Sequence, residues 1–146
     1  MIRALLLTAC LVASPAMAQD AGVPSPMTLA WGDVAPHVDA ARASVVAVAL
    51  GVADDRPGPL AARRLWARRD AEARALAALH AWVDASTART TFDSTTIAAL
   101  HHAVDEHSEV SATRARVDGS ACVEVVLALR HLSAITTGTR GLPWSA

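Results

Sequence analysis

"VDGSACVEVVLALR", residues 117–130, decides the fold. Asp118-Gly119 is a strong hairpin signal, because glycine tolerates the positive φ that a tight reversal of the chain demands. Beyond it, Val123, Val125, Leu127 and Leu129 recur at a period of two and share one face, while Val126 and Ala128 make the other face apolar as well. A strand that is apolar on both sides belongs in the middle of a sheet. Residues 108–117 before the turn read as its hairpin partner. A two-residue turn would set Val123 opposite Arg114, and a three-residue Asp-Gly-Ser loop would set it opposite Ala115. The second pairing keeps an arginine off the core face, where it would need a partner.

Working back along the chain, Phe92-Asp93 opens a helix. Asp93 is placed to cap it, Phe92 and Ile97 stand at the two ends of a hydrophobic staple, and Ile97, Leu100 and Val104 recur at helical spacing to about His107. Residues 60–85 form a longer helix of strong helix formers with no internal glycine or proline, and Pro59 stands where a first turn tolerates it. Leu65, Leu76, Leu79 and Val83, with Ala73 among them, are expected to mark its buried stripe. Before it, "SVVAVALGV" (44–52) alternates as a strand, and "ADDRPGP" (53–59) breaks the chain. The order strand, helix, helix, hairpin predicts an α+β domain over residues 43–132: an antiparallel sheet with two helices on one face.

The ends read differently. "MIRALLLTACLVASPAMAQD" has one positive residue, Arg3, an apolar run over residues 4–13, and the small-x-small sequence Ala16-Met17-Ala18, the form of a signal peptide cut after Ala18. Leu7-Thr8-Ala9-Cys10 also has the form of a lipobox, with an apolar core shorter than usual, so cleavage after residue 18 is the preferred expectation. Residues 19–42 are expected to be a flexible leader, with one short helical turn after Pro36, and residues 133–146 a loop-like tail. No stretch is long and apolar enough for a transmembrane span in the mature chain.

The chain has no lysine, and loss of Arg3 with the leader leaves twelve arginines against fourteen acids, a net charge of −2. That balance argues against a nucleic-acid partner. With Cys10 removed, Cys122 is the remaining thiol, and its place in an apolar strand makes it a packed side chain before a reactive free one. Ser120 has no G-x-S-x-G setting and no base placed by sequence, so neither residue is assigned catalysis.

Two constellations remain. "HHAVDEH" gathers His101, His102, Asp105, Glu106 and His107 within two turns, and His102 with Glu106 at i, i+4 could face one cation, but no second ligand pair of recognisable spacing accompanies them. His37, His80 and His131 are isolated and carry no motif. Arg63, Arg64, Arg68 and Arg69 crowd around Trp66 in the first half of the long helix, where cations oppose the helix dipole. Asp54 and Asp55 upstream, and Asp70 four residues before Arg74, offer compensation, as do the acids of the second helix. The functional alternative is that the arginine and tryptophan side chains dock on an anionic partner.

The valine-rich strand ending at Gly51, the helix containing "ARRDAEARALAAL", the second helix and the hairpin "ARVDGSACVEVVLAL" together resemble the twenty-kilodalton bacterial surface lipoprotein family, to which the N-terminal domain of a flagellar assembly protein is similar. The resemblance covers about residues 43–130. Asp118-Gly119 followed by Val123 and Val125 matches the family's last hairpin, whereas Asp70-Ala71 and Leu76 sit one residue off its helical spacing. It implies an envelope-associated, non-enzymatic domain and supplies no catalytic residues; no cofactor is expected. The expectation is therefore an exported protein, periplasmic or associated with the outer membrane. It would act through an envelope component, a protein partner or a second copy of itself, with the arginine patch as the contact. The alternative is a small periplasmic metal-binding protein using the cluster from His101 to His107.

Overall fold

The computed structural model describes residues 32–52 and 58–145. The expected signal peptide over residues 1–18, the lipobox cysteine Cys10, most of the expected leader, and Asp54 and Asp55 lie outside these residues. The described chain runs β1 (Val34–Asp39), β2 (Ser44–Gly51), α1 (Leu60–Thr87), α2 (Ser94–His107), β3 (Ser108–Ala115), β4 (Ala121–Ala128) and α3 (Leu129–Ile135). It is an α+β fold whose four strands form an antiparallel sheet in the order β1-β2-β4-β3.

The doubly apolar strands take the centre, as their pattern requires. β2 pairs with β4 along its whole length, from Ser44 opposite Ala128 to Gly51 opposite Ala121. Val45, Ala47, Ala49, Val123, Val125 and Leu127 face the helices and join Leu79, Val83, Leu100, Val104 and Leu132 in the main core. Val46, Val48 and Cys122 form a smaller buried cluster on the opposite face, with Val126 packed against it. Both edge strands carry a register irregularity, β1 between Val34 and His37 and β3 between Val110 and Ala112. Such bulges discourage further strand pairing.

Residues 34–42 correct the expected leader. Here the chain is a strand and a turn, with no helical turn after Pro36. Pro36 falls within the irregular stretch of an edge strand, where a missing N–H is tolerated. Asp39 Oδ1 then accepts from the backbone N–H groups of Ala41 and Arg42, and Ala43 takes a positive φ of 47°, which turns the chain into β2.

The hairpin register corrects both expectations. Thr113 stands opposite Val123, and Arg114 opposite Cys122. The loop is Val117-Asp118-Gly119. Arg116 N–H donates to the Ser120 carbonyl (2.8 Å), Gly119 N–H donates to the Arg116 carbonyl (3.2 Å), and Gly119 carries a φ of 93°. This is the three-residue loop with glycine in its left-handed third position. It leaves Val117 at the tip, 91% exposed.

α1 buries the expected Leu79 and Val83, with Leu76 packed against the core, but its first half turns inward a different stripe from the one expected. Ala67, Ala71, Ala75, Leu79, Val83 and Thr87 face inward, whereas Leu65 and Ala73 are exposed and Leu76 is half-buried. The cause is Gly51: β2 ends directly beneath the helix, and only small side chains permit that approach. α2 begins as expected, with Asp93 Oδ1 accepting from Thr96 N–H at 2.7 Å. The tail is also ordered: α3 follows β4 at once, and Leu142 and Trp144 return to the core.

Candidate functional site

The first half of α1 presents the arginine and tryptophan side chains outward. Its inward face is taken by Ala67 and Ala71, so Arg64, Leu65, Trp66, Arg68 and Arg69 are left exposed, with Leu65 48% and Trp66 47% accessible. The Arg69 guanidinium carbon stands 5.6 Å from the Trp66 ring centre, within cation–π range. Arg63 is half-buried, and its Nε is enclosed with no hydrogen-bond partner among the described residues. The first turn contains no acid. Asp70 pairs with Arg74 at 3.0 Å, as its i, i+4 spacing predicts, and the ion pairs recorded among the described residues involve none of Arg64, Arg68 and Arg69.

The side chains of "HHAVDEH" do not converge. His101 turns toward α1, where its Nε2 meets Asp84 Oδ1 (2.8 Å) and its Nδ1 meets His80 Nδ1 (2.6 Å). His80 Nε2 in turn meets Asp105 Oδ1 at 2.9 Å. His102 points outward and pairs with Glu106 at 3.3 Å, as its spacing allowed. His107 stacks on His131 of α3, with ring centres 4.1 Å apart and planes 22° apart. Among the described residues no group of three or more histidine, cysteine or acidic side chains is arranged to hold a metal ion. Beside the shared apolar core, the polar contact between the helices is made by histidine and aspartate, and among the described residues no ion pair joins an α1 arginine to an α2 acid, as the expected compensation would require. The sequence did contain a signal for the polar contact: His80 and Asp84 on α1, and His101 and Asp105 on α2, repeat one i, i+4 spacing.

A cleft of about 470 Å³ opens where the outer face of the sheet meets α3, lined by Arg42, Glu109, Ser111, Glu124, Val126 and His131 among others. Its polar groups largely satisfy one another. Glu124 accepts from Arg42 (2.9 Å) and from the Ser111 hydroxyl, and Arg42 Nε also reaches Asp39 at 3.3 Å. Burial pushes His131 below the ordinary histidine range, the charges of His107 and Arg130 push it further, and Glu109 opposes them. A neutral imidazole therefore faces the cleft at neutral pH.

Ser120 and Cys122 are both taken up by the fold. The Ser120 hydroxyl and backbone N–H both donate to Asp118 Oδ1, at 2.6 and 2.8 Å, and these bonds, the hydroxyl's first, hold the Asp118 carboxyl below its usual range. The pair locks the hairpin loop. Cys122 is fully buried under the outer face of the sheet, its sulfur 4.0 Å from the Gly32 carbonyl oxygen.

No protein-family model, no curated protein and no solved structure matches this chain. No helix among the described residues is long and apolar enough to cross a membrane.

Proposed function

We propose that this is an exported, non-enzymatic cell-envelope protein that works by docking the N-terminal half of α1 on an anionic envelope component or an acidic partner protein. One observation carries the reading: two large apolar side chains, Leu65 and Trp66, are each about half exposed beside Arg64, Arg68 and Arg69 on one short stretch of helix. Exposed apolar area next to guanidinium groups suits a surface that offers both anionic groups and apolar contact, because arginine binds carboxylate and phosphate bidentately while tryptophan buries its ring. The signal-peptide form of residues 1–18 supports export, and the resemblance to the surface lipoprotein family supports an envelope role. The locked Asp118–Ser120 turn and the buried Cys122 favour a binding role over nucleophilic catalysis. Dispersal of the histidine cluster removes support from the metal-binding alternative.

The test is charge reversal. A variant carrying Arg64→Glu, Arg68→Glu and Arg69→Glu should keep its thermal midpoint within a few degrees and lose its association with the envelope fraction. A folded variant that fractionates like the parent protein overturns the proposal. Binding of the parent should also weaken with added salt, since exposed charges separated by more than about 8–10 Å are screened at physiological ionic strength.

A further inference from the structure

The contact between α1 and α2 contains four side chains in a line: Asp84, His101, His80 and Asp105. The two ring centres lie 4.9 Å apart and the two Nδ1 atoms 2.6 Å apart. The difference equals two imidazole centre-to-edge distances, so both Nδ1 atoms lie on the line joining the rings and meet head-on. The outer nitrogens fix the tautomers. Each Nε2 lies within 3 Å of a carboxylate oxygen, which can only accept, so each Nε2 carries a hydrogen. Two neutral rings so arranged would aim two lone pairs at each other across 2.6 Å, with no hydrogen between them.

We infer that His80 and His101 hold one additional proton between their Nδ1 atoms, and that this shared proton fastens α2 to α1. The pair then carries a single positive charge between two aspartates, one from each helix, and every N–H in the line has an acceptor. Charge-assisted bonds of this kind are shorter and about twice as strong as neutral ones. Removing the proton brings the two lone pairs together, and adding a second brings two N–H groups together.

Among the described residues, the charged groups in contact with the pair are Asp84 from α1 and Asp105 from α2. The sheet face beneath contributes Val45, Ala47, Ala49, Val123, Val125 and Leu127, none of which titrates. α3 meets α2 nearly two turns further along, where His131 stacks on His107. Both rings are 28% exposed, so protons exchange with solvent without unfolding. The site is separate from the exposed arginine half of α1, and its test does not depend on that surface having a partner.

The experiment is nitrogen-15 and proton NMR on the full chain, with hydrogen exchange of the α2 amides. The expected result near neutral pH is that both Nε2 atoms are protonated and both Nδ1 atoms have intermediate shifts. One exchangeable far-downfield proton should be lost in both His80→Gln and His101→Gln. In either variant the α2 amides should exchange roughly 10-fold faster or more, the loss expected for a charge-assisted bond. Asp84→Asn and Asp105→Asn keep the imidazoles and should each broaden the downfield signal without abolishing the fold. Two rings that titrate independently, or α2 exchange unchanged in both folded histidine variants, would overturn the inference.

Discussion

Gly51 meets Ala67 backbone against backbone: a β-carbon at position 51 would run into the Ala67 carbonyl oxygen and stand 2.7 Å from the Ala71 nitrogen. Neither obstacle is a side-chain end that can swing aside. Gly51→Ala therefore has to push α1 off the end of β2, opening the layer formed by Ala71, Ala75 and Ala49. Overpacking of this kind costs about 1–3 kcal/mol and occasionally more. The expected outcome is a clear fall in the urea midpoint for Gly51→Ala and a larger one for Gly51→Val. Wild-type stability in Gly51→Ala would mean that the helix does not lie this close.

Trp144 ties the end of the described chain to the core. It is buried, lies 5.2 Å from the Trp82 ring, and donates its indole N–H to Thr136 Oγ1 at 2.9 Å. Trp144→Ala should cost about 3–5 kcal/mol, the range for removing a buried aromatic. Thr136→Val retains the shape but strands the indole N–H, a loss of about 1–3 kcal/mol. Chemical denaturation of the two variants checks both figures. A tail that merely frays would show neither loss.

That tail also marks where the sequence stopped being readable. "ITTGTRGLPWSA" has the glycines and proline of a loop, and its one strong core signal, Trp144, depends on a partner eight residues back. The central strands were legible because a period of two on valine and leucine is a local pattern, and the Asp93 cap because it acts over three residues. α1 was legible as a helix, and Leu79 and Val83 as part of its buried face, but the inward face of its first half was not. Alanine carries little hydrophobic signal, and the choice of Ala67 over Leu65 is made by Gly51, sixteen residues away in another element. The histidines failed for a related reason. Nearness in "HHAVDEH" drew attention to one helix, whereas partners of the cluster, His80 and His131, stand on other helices.

His131 gives the protein an acid-side sensitivity. Its folded-state value is lowered from 6.5, chiefly by burial, so the unfolded chain binds the proton more readily. The stabilising contribution is fully present above about 6.5, declines as the pH falls below that value, and is lost once the folded value is passed. Urea midpoints between pH 8 and pH 5 should therefore fall less steeply in His131→Gln than in the parent. Glu109→Gln, which removes the charge that opposes the shift, should fall more steeply. Parallel curves for parent and His131→Gln would show that His131 is not held neutral.

Cys122 should behave as a core residue. It sits opposite Leu50 on one side and Arg114 on the other, with no measurable exposure, in the cluster with Val46 and Val48. A thiol reagent reaches such a sulfur only through an opening of the sheet, so the labelling rate should follow that opening and rise steeply with urea. Cys122→Ser sets a hydroxyl beside Val46 and Val48 on a bond shorter than the thiol's, further from the Gly32 carbonyl, and should cost about 1–3 kcal/mol. Labelling of the native protein as fast as of the denatured chain, at a concentration of reagent that leaves the fold intact, would place the thiol at the surface and reopen the question of its chemistry.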